Sequence, residues 1–162
     1  MSEVKFRQPQ DAEWLDVARL RWQWLTEEDG QAGTDRGAFE QEFARWAAAA
    51  HSHRCVVAVR ERELIGMAWI AITPRVPTPL VLDRSVGDVQ SVYIVPEARN
   101  SGIGSGLVDA LLLLADELGL ERVTVHSTTR AVAVYQRAGF TPSQRLMHFE
   151  PELPPERRPP GH

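Results

Sequence analysis

One stretch near the middle of the chain, Val92-Tyr-Ile-Val-Pro96-Glu-Ala-Arg99-Asn-Ser-Gly102-Ile-Gly104, combines residue types that can hold a phosphate. A strand-like apolar run stops at a proline, and glycines then open an apolar helical run. Where a strand passes through such a turn into a helix, the first N–H groups of the helix have no intrahelical partner and the helix dipole favours an anion. Gly102 and Gly104 carry no side chain to block a phosphate, Ser101 can cap the helix, and Arg99 adds a planar cationic fork. Asn100 and Ile103 complete the turn. Glycine spacing alone leaves the ligand open, because Gly102-x-Gly104-x-Gly106 also suits close packing of a helix on a sheet. A dinucleotide fingerprint fits worse: the third glycine falls one position early, and His126 stands where an acidic ribose-binding residue would be expected. Lys5 is the only lysine, which excludes a G-x-x-x-x-G-K-[ST] phosphate loop.

The elements that must position this segment follow from hydropathy patterning. Val4-Lys-Phe-Arg alternates and stops before Pro9, as a short first strand would. Asp11 is placed to cap a helix with Leu15, Ala18, Trp22 and Leu25 on one stripe, ending in a turn around Gly30 and Gly33. A second helix is expected over residues 35–50, with Phe39, Phe43 and Trp46 on one face. Residues 55–60 and 63–73 read as two strands joined at Glu61-Arg62, with Gly66 marking a bulge. Pro74, Pro77 and Pro79 end the second, a loop runs to Ser85, and residues 88–95 form a central strand stopped by Pro96. A long helix over 101–118 ends at Gly119. Residues 122–126 form a further strand, 131–137 a short helix and 145–149 a last strand. The order β-α-α-β-β-β-α-β-α-β predicts an α/β (α+β) fold with a mixed, largely antiparallel central sheet flanked by helices. Residues 1–150 are expected to form one domain and 151–162, with five prolines in twelve residues, a disordered tail.

Composition narrows the function classes. The chain has 162 residues, 43% of them hydrophobic, a length that suits a single core. A formal net charge of −4 argues against a protein built to grip nucleic acid. The longest apolar stretch, residues 107–115, is interrupted by Asp109 and is far short of a membrane span, so a soluble, cytoplasmic protein is expected. Cys55 is the only cysteine and sits in an apolar strand, where it reads as core. His51-Ser-His53 offers too few ligands for zinc, and no metal is expected.

Val92 to Gly104 resembles the acetyl-CoA-binding motif of the GNAT N-acetyltransferase superfamily: a strand, a proline-containing turn, and R-x-x-G-x-G or A opening a helix. Tyr135-Gln-Arg-Ala-Gly139-Phe140 is similar to that family's second signature, a tyrosine four residues before Gly-Phe. The two occur in order with one strand between them, and the resemblance is close over residues 86–142. It implies acetyl-CoA as co-substrate and a primary amine as acceptor, in a small molecule, peptide or protein. The oligomeric state is left open, a homodimer included. A non-catalytic coenzyme A-binding module is the competing expectation, and a nucleotide-binding protein a third.

The resemblance also implies residue roles. Backbone groups of Val92 and Ile94 pair with the pantetheine arm like an added strand, and Arg99 to Gly104 enclose the pyrophosphate. Thr128 stands where many members carry an asparagine, and its hydroxyl is a candidate for the pantetheine. Tyr135 is expected to protonate the departing thiolate; packing beside Phe140 is its structural alternative. Amines near pKa ~10 are mostly protonated at neutral pH, so a base must help. Asp88 matches the position of a catalytic glutamate in some members, and simple alternation places it on one strand face with Gln90, Val92 and Ile94. His126 competes as base, and the Ile94 N–H is the expected oxyanion donor. Glu27-Glu28-Asp29 reads as a solvated helix end, or as a lure for a cationic acceptor.

Overall fold

The computed structural model describes residues 2–29 and 35–157, which fall into two compact units, residues 1–126 and residues 127–162. The expected turn around Gly30 and Gly33 lies outside the described residues, as do the last five residues of the tail.

The first unit holds β1 (Lys5–Arg7), α1 (Trp14–Asp29), α2 (Arg36–Ala49), β2 (His53–Arg60), β3 (Glu63–Pro74), β4 (Ser85–Ile94), α3 (Ile103–Glu117) and β5 (Val123–Val125). The strands form one sheet in chain order, antiparallel except where β5 runs parallel to β4. The α/β class and the largely antiparallel sheet are as expected. Local signals account for most boundaries. The side chain of Asp35 accepts from the Gly37 N–H to cap α2. The β2–β3 hairpin turns through Glu61 and Arg62, both with positive φ, the pairing a two-residue turn needs to match strand twist. Gly119, at φ 69°, ends α3: its N–H bonds to the Asp116 carbonyl and the Leu120 N–H to that of Ala115.

Two caps differ from expectation. Asp11 opens a short 3-10 turn over Asp11–Glu13, and it is the Glu13 carboxylate that accepts the Gln10 N–H, at 2.8 Å. The longer glutamate also reaches the Arg7 guanidinium, which fixes it over the turn. Ser101 lies outside α3, which begins from Gly102; the serine hydroxyl donates instead to the Ala98 carbonyl at 2.6 Å.

Each face of the sheet is covered. On one, α1 and α2 close over Cys55, Val57, Val59, Met67, Trp69 and Tyr93. On the other, α3 approaches so closely that a Cβ on Gly106 would lie 2.2 Å from the Phe6 ring, and one on Gly66 3.1 Å from Leu107. Gly106 therefore serves helix–sheet packing, which separates it from Gly102 and Gly104. Cys55 is buried as expected, and burial pushes its thiol well above the ordinary value, so it stays protonated and unreactive.

Two bulges break the alternation. In β3 the extra residue is Ile65, beside Gly66 as expected. In β4 it is Gln90: Trp69 faces Ser91 while the next residue, Ile70, faces Val89. An added residue flips everything beyond it to the opposite face. Asp88 therefore shares its face with Ser91 and Tyr93, the side of α1 and α2, while Val92 and Ile94 point towards α3. The expectation that Asp88 lies on one face with Val92 and Ile94 fails for this reason.

The second unit holds α4 (Val132–Arg137), a 3-10 turn at Pro155–Arg157 and otherwise irregular chain. The last strand expected over residues 145–149 does not form. Leu146 and Met147 are neighbours rather than alternating, so they cannot turn one face to a core, and both are exposed, as is Phe149. Among the described residues no strand pairs with this segment, and an extended segment without a partner leaves its ladder unmade.

Candidate active site

β4 and β5 pair only at Gly87–Val123, Asp88–Thr124 and Val89–Val125. The Gln90 bulge follows at once. Beyond it, the Val95 N–H bonds to the Ile65 carbonyl at 3.0 Å, which with the register assigns the groups of Ser91 and Tyr93 to β3. By alternation the N–H groups of Val92 and Ile94 point to the other edge, past the end of the β5 ladder. This leaves a strand edge that can take an extended ligand, and the Ile94 N–H is one of its donors.

The edge leads directly into the turn. Pro96–Ala98 form a 3-10 turn, Asn100 adopts φ 61° and Gly102 φ 82°, and α3 starts. The Gly106 N–H, bonded to the Gly102 carbonyl at 3.1 Å, is the first in the helical ladder. The N–H groups of Ile103, Gly104 and Ser105 thus lack helical acceptors and, with the positive end of the dipole, form an anion seat. At Gly104 an added Cβ would come within 3.2 Å of the Ile94 side chain, so the strand edge and the seat are held against each other by a residue without a side chain.

The Arg99 side chain is elsewhere than expected. Its Nε donates to the Ile94 carbonyl at 3.0 Å and its Nη2 to Glu27 at 2.6 Å, with the guanidinium 5.6 Å from the centre of the Tyr93 ring. Glu27, in the last turn of α1, also accepts the Tyr93 hydroxyl at 2.5 Å. Burial alone would raise the Glu27 carboxyl, but the bonds from Tyr93 and Arg99 outweigh it and hold the group below the usual range. Burial, then the bond to Glu27, pushes the Tyr93 phenol far up, so it remains a donor. Arg99 therefore braces the turn while main-chain groups face the anion. No local signal marks this clasp, since Glu27 reads as one of three solvated acids and its partners are more than sixty positions away.

The clasp has a measurable signature. A carboxylate with a lowered folded pKa adds stability that is complete above its ordinary value, about pH 4, and is lost as pH falls through the folded value. Glu27→Gln is expected to remove about 1 kcal/mol, lowering Tm by a few degrees at neutral pH and less at pH 3, in a pH series of thermal melts. An equal loss at both pH values would show that the carboxylate charge is not what holds the turn.

Asp88 is half-buried, and its Oδ1 accepts the Thr124 hydroxyl at 3.1 Å. His126 is exposed at the end of the first unit. In the second unit, Tyr135 is buried on α4 and packs edge-on to Phe140, with ring centres 5.4 Å apart. Burial raises its phenol above the ordinary value. Thr128 is exposed, and its carbonyl accepts the Ala131 N–H at 3.0 Å, which shapes the turn before α4.

A second feature of the first unit was not foreseen. On the α1/α2 face an open cavity of about 90 Å³ lies among Phe43, Trp46 and Trp69, bordered by Arg21, His53 and the bulge residues Gln90 and Ser91. Arg21 donates to the Ser91 hydroxyl oxygen at 2.9 Å and lies 4.3 Å over the Trp24 ring. His53 meets Gln90 Oε1 through Nε2 at 3.1 Å. Among the described residues the buried indole N–H of Trp69 meets no hydrogen-bond acceptor. In the sequence these aromatics are indistinguishable from core. Among the described residues no group of three metal-ligating side chains comes together.

Comparison with known proteins agrees with this geometry. The family model of the acetyltransferase (GNAT) family matches residues 14–140. A mycothiol acetyltransferase of Pseudarthrobacter chlorophenolicus is 33% identical over 81 residues, 48% of this chain and 24% of that protein. A glucosamine 6-phosphate N-acetyltransferase of Trypanosoma brucei brucei is 25% identical over 87 residues, 54% and 57% of the two chains. The chain thus spans about a quarter of the length of the mycothiol relative. In fold it is similar to a predicted acetyltransferase of Clostridium acetobutylicum solved with acetyl-CoA, at TM-score 0.70 and 19% identity, covering 91% of this chain and 96% of the other. An aminoglycoside N-acetyltransferase in complex with CoA gives TM-score 0.69 at 16% identity, with 94% and 97% covered. With the family model running from the start of α1 to Phe140, and so across both the anion seat and Tyr135, this chain belongs to the acetyltransferase (GNAT) family.

Proposed function

We propose that the protein transfers an acetyl group from acetyl-CoA to a primary amine. The observation that carries this reading is the continuity of the open β4 edge with the anion seat at the start of α3, which suits a ligand that is an extended amide chain at one end and a pyrophosphate at the other. In this reading Val92 and Ile94 pair through their backbones with the pantetheine arm. Main-chain groups from Arg99, Asn100, Ser101, Gly102, Ile103 and Gly104 enclose the pyrophosphate, and Thr128 adds a hydroxyl. Residues 1–150 act as one catalytic domain, and the buried, protonated thiol of Cys55 suits a reducing cytoplasm. No helix among the described residues is long and apolar enough to cross a membrane.

The chemistry follows from the groups present. The amine nitrogen attacks the thioester carbon, and the oxygen that becomes anionic is met by the Ile94 N–H. As the tetrahedral centre collapses, the C–S bond breaks and the sulfur takes the Tyr135 proton. The ammonium proton passes to Asp88, directly or through water; its position on the α1/α2 face puts it on the side from which the cavity opens. A thioester is thereby exchanged for an amide, with no change in oxidation state.

The test is release of free thiol from acetyl-CoA, followed across a panel of primary amines. Turnover at roughly 1–10³ s⁻¹ with at least one amine is the expected result. Tight acetyl-CoA binding without thiol release across the panel would favour a coenzyme A-binding module instead.

A further inference from the structure

We infer that Glu27 is a positioning residue for acyl transfer: from the last turn of α1 it closes a ring of hydrogen bonds through Ile94 that aims the Ile94 N–H at the thioester oxygen. This rests on the acetyl-transfer reading above and adds to it a residue from outside the cofactor-binding segment.

The ring can be followed bond by bond. One Glu27 oxygen accepts the Tyr93 hydroxyl at 2.5 Å and the other accepts Arg99 Nη2 at 2.6 Å. Arg99 Nε donates to the Ile94 carbonyl at 3.0 Å, and the chain itself joins Ile94 back to Tyr93. Tyr93 is only 3% exposed and belongs to the core under α1, so its end of the ring is anchored by packing. Arg99 and Glu27 are partly exposed, and an ion pair of that kind adds little to stability by itself. What it contributes here is direction.

Ile94 is also held elsewhere. The peptide that follows it is pinned by the Val95 N–H to the Ile65 carbonyl at 3.0 Å, and its side chain lies between Gly66 and Gly104, where added Cβ atoms would come within 3.5 and 3.2 Å of it. The N–H and C=O of one strand residue point to the same edge, so the Ile94 carbonyl faces the open side of β4 together with its N–H. Arg99 occupies the carbonyl, which leaves the N–H as the group Ile94 offers a ligand there. A donor stabilises an oxyanion best when it is aimed before the charge develops. Without the Glu27 carboxylate, Arg99 loses the partner that holds it at Ile94 and the Tyr93 hydroxyl loses its acceptor, so both flanks of Ile94 loosen together.

Infrared difference spectroscopy of bound acetyl-CoA, isotopically labelled at its carbonyl carbon, reads the aim of this donor without turnover, because a hydrogen bond to the thioester oxygen lowers the carbonyl stretching frequency. In the parent protein the band is expected below its position in free acetyl-CoA. Glu27→Gln keeps one acceptor but turns an amide N–H₂ on the other partner, and Tyr93→Phe keeps the ring and removes the hydroxyl. Each should return the band towards the free position and lower kcat for thiol release roughly tenfold, while acetyl-CoA affinity changes less than about threefold. The double variant should lose little beyond the worse single one, since both break one ring. Thermal melts and acetyl-CoA affinity check that each variant is folded. A lowered band that relaxes in the variants, without thiol release from the parent, would leave the positioning ring standing and remove the enzyme reading. A band at the free position in the parent, or one that Glu27→Gln does not move while only Tm or affinity falls, would overturn the inference; thiol release from the parent would then leave the enzyme reading intact.

Discussion

Tyr135→Phe is expected to lower kcat for thiol release about 100-fold, the usual scale for loss of a positioned general acid, while acetyl-CoA affinity changes less than about threefold. Phenylalanine keeps the edge-on contact with Phe140, so α4 retains its packing and only the phenolic proton is lost. The direction of the pKa shift matters here. Burial disfavours the phenolate, so the phenol holds its proton through neutral and mildly alkaline pH and is present as a donor when the thiolate departs. Activity should therefore show no fall on the alkaline side below the ordinary tyrosine value, about pH 10, that is due to this group. Stopped-flow or steady-state detection of free thiol, with calorimetry for binding, separates the two effects. A kcat within threefold of the parent would reduce Tyr135 to a packing residue.

Gly102→Val should weaken acetyl-CoA binding about tenfold or more, with a smaller effect on thermal stability. At φ 82° the residue sits in the left-handed region, where a β-branched side chain is strained by about 1–2 kcal/mol or more. The space is not the obstacle, since no atom lies within 4 Å of where a Cβ would be. The strain is relieved by moving the turn, and the N–H groups of Ile103 and Gly104 move with it. Gly102→Asn supplies the internal control, because asparagine tolerates the left-handed region as Asn100 already does. It should recover most of the lost affinity. Equal weakening by valine and asparagine would show that bulk at the phosphate, rather than backbone geometry, sets the requirement.

Both of these positions were legible in the sequence. Tyr135 and Gly102 are both found from motif spacing, yet the reason each matters is physical: one is a buried phenol on a short helix, the other a backbone conformation. The caps illustrate the limit of local reading. Asp35 caps α2 as expected, but at the first turn Glu13 takes the role assigned to Asp11, because its longer side chain can reach both the Gln10 N–H and Arg7. The strand expected at residues 145–149 fails similarly, since a strand is a property of a pair and the pairing partner is not written in the segment itself.

The helices and strands of the first unit, the α/β class, the turn that opens α3 and the family to which the chain belongs were all legible in the residue order. These rest on short-range rules: period, capping residues, prolines and glycines at fixed offsets. Tertiary structure alone decided three things. The Gln90 bulge turned Asp88 away from the face of Val92 and Ile94, because one added residue reverses a period of two and no residue type marks where pairing slips. Glu27 joined Tyr93 and Arg99, so that the arginine expected at the phosphate braces the turn from behind. Arg21, Trp46, Trp69 and Ser91, scattered over seventy positions, met around one small cavity. Each depends on contacts between distant segments, which are fixed only when helices and sheet pack. The anion seat was therefore readable in a dozen consecutive residues, and the cavity on the α1/α2 face was not.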